Sequence, residues 1–141
     1  MPVVFHQTFP VLLKNRKRLK LFLFDLFQNE GKCLEGLNII FCSDEDLLAI
    51  NQQYLKHNFF TDIITFDLSE SNALSITAEL YISIERVRDN SGTLKTRFSN
   101  ELHRVIFHGA LHLCGLKDKN IDDKKIMRLK EDAYLRQYFH A

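Results

Sequence analysis

The apolar positions of this chain change period along its length, and those changes divide it into short strands and helices. Val3 to His6 reads as a short strand ahead of Pro10. Over Val11 to Gln28, Leu12, Leu19, Leu23 and Phe27 recur near helical intervals while Phe22, Phe24 and Leu26 widen the apolar surface, which predicts a helix lying on a sheet and touching a second element. Gly31 and Gly36 mark a turn. The run Leu37 to Cys42 has the length and branching of a buried strand. Asp44 to Tyr54 follows as a helix capped by Ser43 or Asp44, with Leu47, Leu48, Ile50 and Tyr54 directed inward. Thr61 to Leu68 and Ile76 to Ile84 both alternate at the strand period, the second with Ile76, Ala78, Leu80, Ile82 and Ile84 on one face and Thr77, Glu79, Tyr81 and Ser83 on the other. Lys56 to Phe60 and Ser69 to Ser75 read as loops. A short helix from Glu85 leads to a turn at Asn90-Ser91-Gly92. Ser99 to Leu113 is a longer helix with Leu102, Val105, Ile106, Gly109 and Leu113 as its stripe, and Ile126 to Tyr138 closes the chain with Ile126, Leu129, Ala133 and Arg136 or Gln137 along it. The pattern predicts one α+β domain over residues 1–141. It consists of a small mixed sheet of four or five strands with helices mainly on one face.

Composition narrows the class. A chain of 141 residues, 45% of them hydrophobic, is long enough to bury one sizeable core and too apolar to be disordered. No apolar run approaches a membrane span, and Met1 to Pro10 lacks a secretory pattern. Cys33, Cys42 and Cys114 form no pairing motif, so thiols in a reducing cytoplasm are expected. Nothing demands an obligate oligomer or a membrane partner. The net charge is only +1, but its distribution is uneven. Lys14, Arg16, Lys17, Arg18 and Lys20 crowd a helix start, where the macrodipole disfavours cations. Arg16, Lys17 and Arg18 are therefore candidate contacts to RNA phosphate, and a merely solvated helix face explains them equally well. Asp44, Glu45 and Asp46 need no partner, since acids suit a first helical turn.

The candidate chemistry lies at the end of the long helix. His108 and His112 are one turn apart, so their Cβ atoms lie roughly 5 to 6 Å from one another and one metal ion can bridge them. Gly115 follows where helices commonly end in a left-handed residue. The returning chain then brings Asp118 beside the rings. Three protein ligands, His108, His112 and Asp118, with one open position make a catalytic rather than a structural zinc site. The spacing His-x-x-x-His-x-x-Gly-x-x-Asp is metzincin-like, except that the general-base Glu of zinc peptidases is Gly109 and the third ligand is a carboxylate. Cys114 points elsewhere on the helix and reads as packing, as does Met127. Arg104, a turn before His108, faces the same groove, unless it is taken up by a salt bridge with Glu101. Gly109 allows another backbone to approach the helix beside the site.

His-Gly-x-Leu-His-Leu-x-Gly, which His108 to Gly115 matches letter for letter, is the signature of the YbeY family of metal-dependent endoribonucleases, and the chain resembles that family elsewhere too. Thr61 to Phe66 is similar to its Thr-Asn/Asp-Val-Leu-Ser-Phe segment, Ala78 to Ser83 to its Gly-Glu/Asp-Ile-x-Ile-Ser strand, and Asn51-x-x-Tyr54 to its Leu-Asn-x-x-Tyr helix end. The similarity runs from about Leu37 to the C-terminus and is looser before it. Three positions depart: the usual third His is Asp118, the usual Arg after the helix-end Tyr is Leu55, and the Tyr-Asp-His ending is Leu116-Lys117-Asp118.

The resemblance implies a single-strand-specific endoribonuclease that matures the 3′ end of 16S ribosomal RNA and serves ribosome quality control, with ribosomal RNA and the small subunit as partners. It places Thr61 to Leu68 as an edge strand bordering the metal cleft, with the loop of Lys56, His57 and Asn58 as one wall. Lys56 then partly replaces the lost Arg, supplying charge without a bidentate fork. One Zn2+ per chain, by lowering the pKa of its water toward about 7, would provide hydroxide at neutral pH without the missing Glu. Glu79 is a further acid or base candidate, although an outward strand carboxylate reads as solvated. Two rivals remain: a non-catalytic ribosome-assembly factor that binds RNA around a structural metal, and a metallopeptidase.

Overall fold

The computed structural model describes residues 2–56 and 61–140. Four strands, β1 (Val3–Gln7), β2 (Cys33–Cys42), β3 (Ile63–Asp67) and β4 (Ser75–Ser83), are joined with five helices, α1 (Arg16–Asn29), α2 (Asp44–Tyr54), α3 (Ile84–Leu94), α4 (Phe98–Leu113) and α5 (Ile121–His140). The sheet order is β1-β2-β4-β3. β1, β2 and β4 are parallel, and β3 runs antiparallel to β4 along one edge. The mixed sheet of the sequence reading is therefore four strands wide among the described residues.

Alternation along β4 assigns the two faces. Ile76, Ala78, Leu80 and Ile82 share one buried cluster with Leu19, Leu23, Leu26 and Phe27 of α1 and with Leu102, Val105, Ile106 and Phe107 of α4. Each such fully buried leucine or phenylalanine contributes about 2 kcal/mol through area removed from water. The opposite face carries a small cluster of Cys42, Leu47 and Ile64, with Ile50, Phe66 and Tyr81 against it. There α2 covers only part of the sheet. Ser43 caps α2 by accepting the Asp46 N–H at 3.1 Å, as its sequence predicts.

Several boundaries differ from the periodicity, each for a physical reason. α1 begins at Arg16 rather than Val11, because Asn15 takes a left-handed conformation at φ 58° that breaks the chain before the helix, a conformation Asn tolerates. Leu12 is consequently 76% exposed while Leu13 is buried. Gly36 lies inside β2, at the register shift between Leu34 and Gly36, so it marks a bulge rather than a turn. Asn90-Ser91-Gly92 does not turn. α3 continues to Leu94, and the Ser91 hydroxyl donates back to the Arg88 carbonyl at 2.8 Å. On α5 the buried positions are Met127, Glu131, Tyr134, Leu135 and Tyr138, while Ile126 and Leu129 are exposed. A buried glutamate within the stripe shifts it one residue from where hydropathy alone puts it. Tyr54 is exposed rather than inward. Among the described residues no helix is long and apolar enough to cross a membrane.

Candidate functional site

The site grows out of the end of α4. The Gly115 N–H bonds the His112 carbonyl at 3.0 Å and the Leu116 N–H bonds the Leu111 carbonyl at 3.1 Å, with Gly115 at φ 104°. That pair of bonds is a Schellman cap, which needs a residue tolerant of positive φ at this position. The cap reverses the chain so that the Leu116 carbonyl faces back and accepts the Nδ1–H of His112 at 3.0 Å. His108 is held in the same way from another direction. Its Nδ1 donates to Glu131 Oε2 of α5 at 2.7 Å. With Nδ1 engaged in each of these bonds, Nε2 is the nitrogen left to meet a metal, which binds histidine in its neutral form. The Nε2 of His108 lies 3.4 Å from Asp118 Oδ2.

His108, His112 and Asp118 line one cleft of about 280 Å³ together with Asn51, Leu55, Thr61, Ile63, Ile64 and Thr65. Edge strand β3 therefore forms the wall facing the histidines. A second cleft of about 400 Å³ meets the first at His108 and Asp118 and runs between α4 and α5, bringing in Asp62, Glu101, Arg104, Lys124, Arg128 and Glu131. Among the described residues no three His, Cys, Asp or Glu side chains are already closed into a ligand cage. What fits a divalent ion is the donor chemistry, two oriented imidazole nitrogens beside a carboxylate oxygen on a single cleft wall.

Arg104 does not pair with Glu101. It donates to Glu131 Oε1 at 2.9 Å and to Asp132 Oδ1 at 2.6 Å. Its guanidinium thus lies between two carboxylates of α5 and steadies the one that holds His108. Glu131, 5% exposed, is a site residue that the sequence reading missed. Nothing local marks it, since its partners are 23 and 27 residues away. Asp62 was missed as well. Burial pushes its carboxyl above the ordinary range, against the opposing pull of His108. The hydrogen bond to Glu131 pushes His108 above the ordinary imidazole range against burial.

Gly109 serves side chains rather than a backbone. A Cβ there would lie 2.7 Å from Ile63 Cδ1 and 3.0 Å from Leu80 Cδ2, so the absent side chain lets α4 sit down on β3 and β4. Lys56, at φ 56°, is exposed and is not among the residues lining either cleft; His57 and Asn58 lie outside the described residues. Leu55, at the position of the family's Arg, does line the cleft. The basic cluster is elsewhere. Arg16 bonds Gln7 at 3.1 Å and sits over the Phe5 ring, and Arg18 sits over the Tyr138 ring and donates to the Tyr138 carbonyl. Lys17 is exposed, and none of the three lines either cleft. Glu79 projects from the sheet face opposite α4, within reach of the Tyr81 hydroxyl at 3.3 Å.

Comparison with known proteins gives a consistent picture. The family model described as Endoribonuclease YbeY matches residues 12–139. The Endoribonuclease YbeY of Cytophaga hutchinsonii is 46% identical over 123 residues, 87% of this chain and 85% of that protein. That of Flavobacterium psychrophilum is 50% identical over 113 residues, 80% of this chain and 79% of the relative. Among solved structures, the solution structure of TM1509 from Thermotoga maritima superposes with a TM-score of 0.64 at 27% identity, covering 97% of this chain and 90% of that one.

Proposed function

This chain belongs to the YbeY family, and from that membership we propose that it is a metal-dependent endoribonuclease of ribosomal RNA processing, acting on single-stranded RNA at the 3′ end of the small-subunit RNA. His108, His112 and Asp118 would hold one zinc ion. The observation that supports this reading best is the pair of Nδ1–H bonds, to Glu131 and to the Leu116 carbonyl, that engages both rings through Nδ1 in the cleft they share with Asp118, whose Oδ2 lies 3.4 Å from the His108 Nε2. A divalent ion bound there would supply Lewis-acid polarisation of a phosphoryl oxygen and an acidified water. The protein's own contribution is orientation. Glu131 fixes the His108 ring, Arg104 fixes Glu131, and β3 closes the opposite wall. Lys124 and Arg128, which line the larger cleft, are one helical turn apart and would meet phosphates flanking the scissile bond. The ribosomal small subunit as partner and the cytoplasm as location follow from the same proposal.

The metallopeptidase alternative is disfavoured by packing as well as by sequence. Position 109, where a peptidase carries its general-base glutamate, faces Ile63 and Leu80 at distances that do not admit even a methyl group without movement. The discriminating experiment is metal analysis of the parent protein, His112→Ala and Asp118→Ala, followed by cleavage of single-stranded and duplex ribosomal RNA fragments with the same three preparations. Loss of zinc and of single-strand cleavage in both variants is the expected result. Full zinc retention by Asp118→Ala would remove the carboxylate from the ligand set, and undiminished cleavage by zinc-free protein would overturn the proposal.

A further inference from the structure

The larger cleft holds a carboxylate that neither the metal site nor the ion pairs beside it use. Glu101, Arg104, Val105 and His108 of α4 line this cleft together, as residues three, four and seven apart share a helix face. Glu101 is only 6% exposed, and among the described residues its carboxylate has no hydrogen bond or ion pair. The other acids of the cleft are occupied. Glu131 is held by Arg104 and His108, Asp118 lies against His108, and Asp62 accepts a hydrogen bond from the Ile63 backbone. Arg104 does not require Glu101 either, since it already bonds Glu131 and Asp132. Burial raises the Glu101 carboxyl above its ordinary range, with Arg104 pulling the other way.

A buried acceptor without a donor costs free energy, and this one faces a cleft of about 400 Å³, within the size range of small-molecule sites. Its occupant must bring N–H donors. A cationic occupant, whether a metal ion, an ammonium or a guanidinium group, is opposed by Arg104, Lys124 and Arg128 around the same cleft. A neutral donor edge attached to phosphates is not. Guanine is the nucleobase that presents two adjacent donors, N1–H and N2–H, on its Watson–Crick edge, an edge by which unstacked RNA bases are read. Adenine, cytosine and uracil each turn at least one acceptor toward a carboxylate placed there. We propose that Glu101 accepts both guanine donors and makes the larger cleft a guanine subsite for a nucleotide beside the scissile bond. Val105 and Met127, both buried and lining the cleft, give the ring face an apolar seat, while Lys124 and Arg128 meet the phosphates. At 1.5 Å of rise per residue Glu101 lies about 10 Å along α4 from His108, which suits a neighbouring nucleotide and not the reacting phosphate. The subsite rests on the reading of this chain as a ribonuclease.

The test is a nuclear magnetic resonance titration of the full chain with mononucleotides, which hold no phosphodiester bond to cleave, read on the methyl resonances of Val105 and Met127. Guanosine monophosphate is expected to shift both. It is expected to bind roughly tenfold more tightly than inosine monophosphate, which lacks the N2 amine, the size of one hydrogen bond to a charged group. Deazaguanosine monophosphate lacking only N7 keeps both donors and is expected to match the guanine nucleotide. Glu101→Gln is expected to abolish the preference for guanosine over inosine and to favour adenosine monophosphate, because an amide donates as well as accepts and pairs with an adenine edge. A merely structural role for Glu101 would not reverse the ranking. Equal binding of the guanosine and inosine nucleotides by the parent protein, a guanine preference that survives Glu101→Gln, or binding that leaves Val105 and Met127 unmoved would each overturn the proposal. Cleavage is read separately, on oligouridylate with and without a single guanine, and the guanine strand is expected to show the lower KM. Equal KM values for the two strands would overturn the subsite alone. Absence of cleavage with the mononucleotide ranking intact would overturn the ribonuclease reading and support the subsite.

Discussion

Helix α4 carries histidines on two of its faces, and the two are treated in opposite ways. On the cleft face, His108 donates to a buried carboxylate at 2.7 Å, and that bond raises its affinity for protons against burial. On the face toward α1 and α5, His103 donates its Nδ1–H to the Ser99 carbonyl at 2.6 Å and stacks on Tyr138 with centroids 5.0 Å apart. Its Nε2 has no hydrogen-bond partner among the described residues, and burial lowers its proton affinity. Two imidazoles five residues apart thus become a ring oriented by a carboxylate at a cleft and a neutral packing ring. Burial disfavours the charged form of both rings, and His103 is the more deeply buried; at His108 the carboxylate of Glu131 outweighs it.

The strongest way to break this contrast is to remove what holds Glu131. Arg104→Met leaves Glu131 buried beside its histidine without a cation. Breaking a buried pair from one side costs about 3 to 5 kcal/mol, and the partial exposure of Arg104 places this case nearer 2 to 3 kcal/mol. Urea denaturation measures the loss. Glu131→Gln in the Arg104→Met background is expected to restore part of it, because the stranded charge goes too. If the double variant is no more stable than Arg104→Met, the charge was not the cause.

Glu131→Gln alone tests orientation rather than stability. Removing a carboxylate that bonds a ligating histidine lowers metal affinity roughly 10- to 100-fold, while Arg104 keeps its bond to Asp132. Zinc titration against a chelator reads the affinity. The 15N shifts of the His108 ring in metal-free protein read its tautomer, which a merely structural role for Glu131 would leave unchanged.

These residues also mark where the sequence was readable and where it was not. The signature His108 to Gly115 and the turn that follows are local, so helix, cap and both imidazoles could be read from spacing alone. The strands were readable because β2 and β4 are apolar runs or strict alternations. Glu131 was not readable, since its inward position depends on α5 lying against α4, and a lone glutamate in a helical stripe reads as the solvated side. The basic cluster shows the same limit. Arg16 and Arg18 are spent on Gln7, Phe5 and Tyr138, and the Arg18 partner is 120 residues distant. Charge density is visible in a sequence, whereas the availability of the charge is set by contacts that only the fold makes.

Gly109 sharpens the comparison from the third face of α4, the one against the sheet. Gly109→Ala gains about 1 kcal/mol of helix propensity but drives a methyl into Ile63 and Leu80, an overpacking that costs about 1 to 3 kcal/mol. A net loss of roughly 1 kcal/mol is expected, with α4 lifted from β3 and the cleft widened. Since both side chains in the way are flexible at their ends, a stabilised variant would show that they give way and that the close approach is not required.

The smallest effect comes from His103 and concerns pH. Its folded-state affinity for protons lies below the ordinary imidazole value near 6.5, so as pH falls through that value the unfolded chain takes up a proton that the folded protein refuses. The stability contributed by neutral His103 is therefore complete above pH about 6.5 and is progressively lost below it. His108 has the opposite sign in metal-free protein. Raised above its unfolded value, it contributes stability below pH about 6.5 that is lost as pH climbs through its folded value. Two variants separate the pair. His103→Phe, which keeps a ring against Tyr138, is expected to gain stability over the parent on going from pH 7 to pH 5, while metal-free His108→Phe is expected to lose it over the same interval. Parallel pH profiles for parent and His103→Phe would mean that the orphaned Nε2 finds a proton acceptor on acidification, and that the two faces of α4 differ less than their contacts imply.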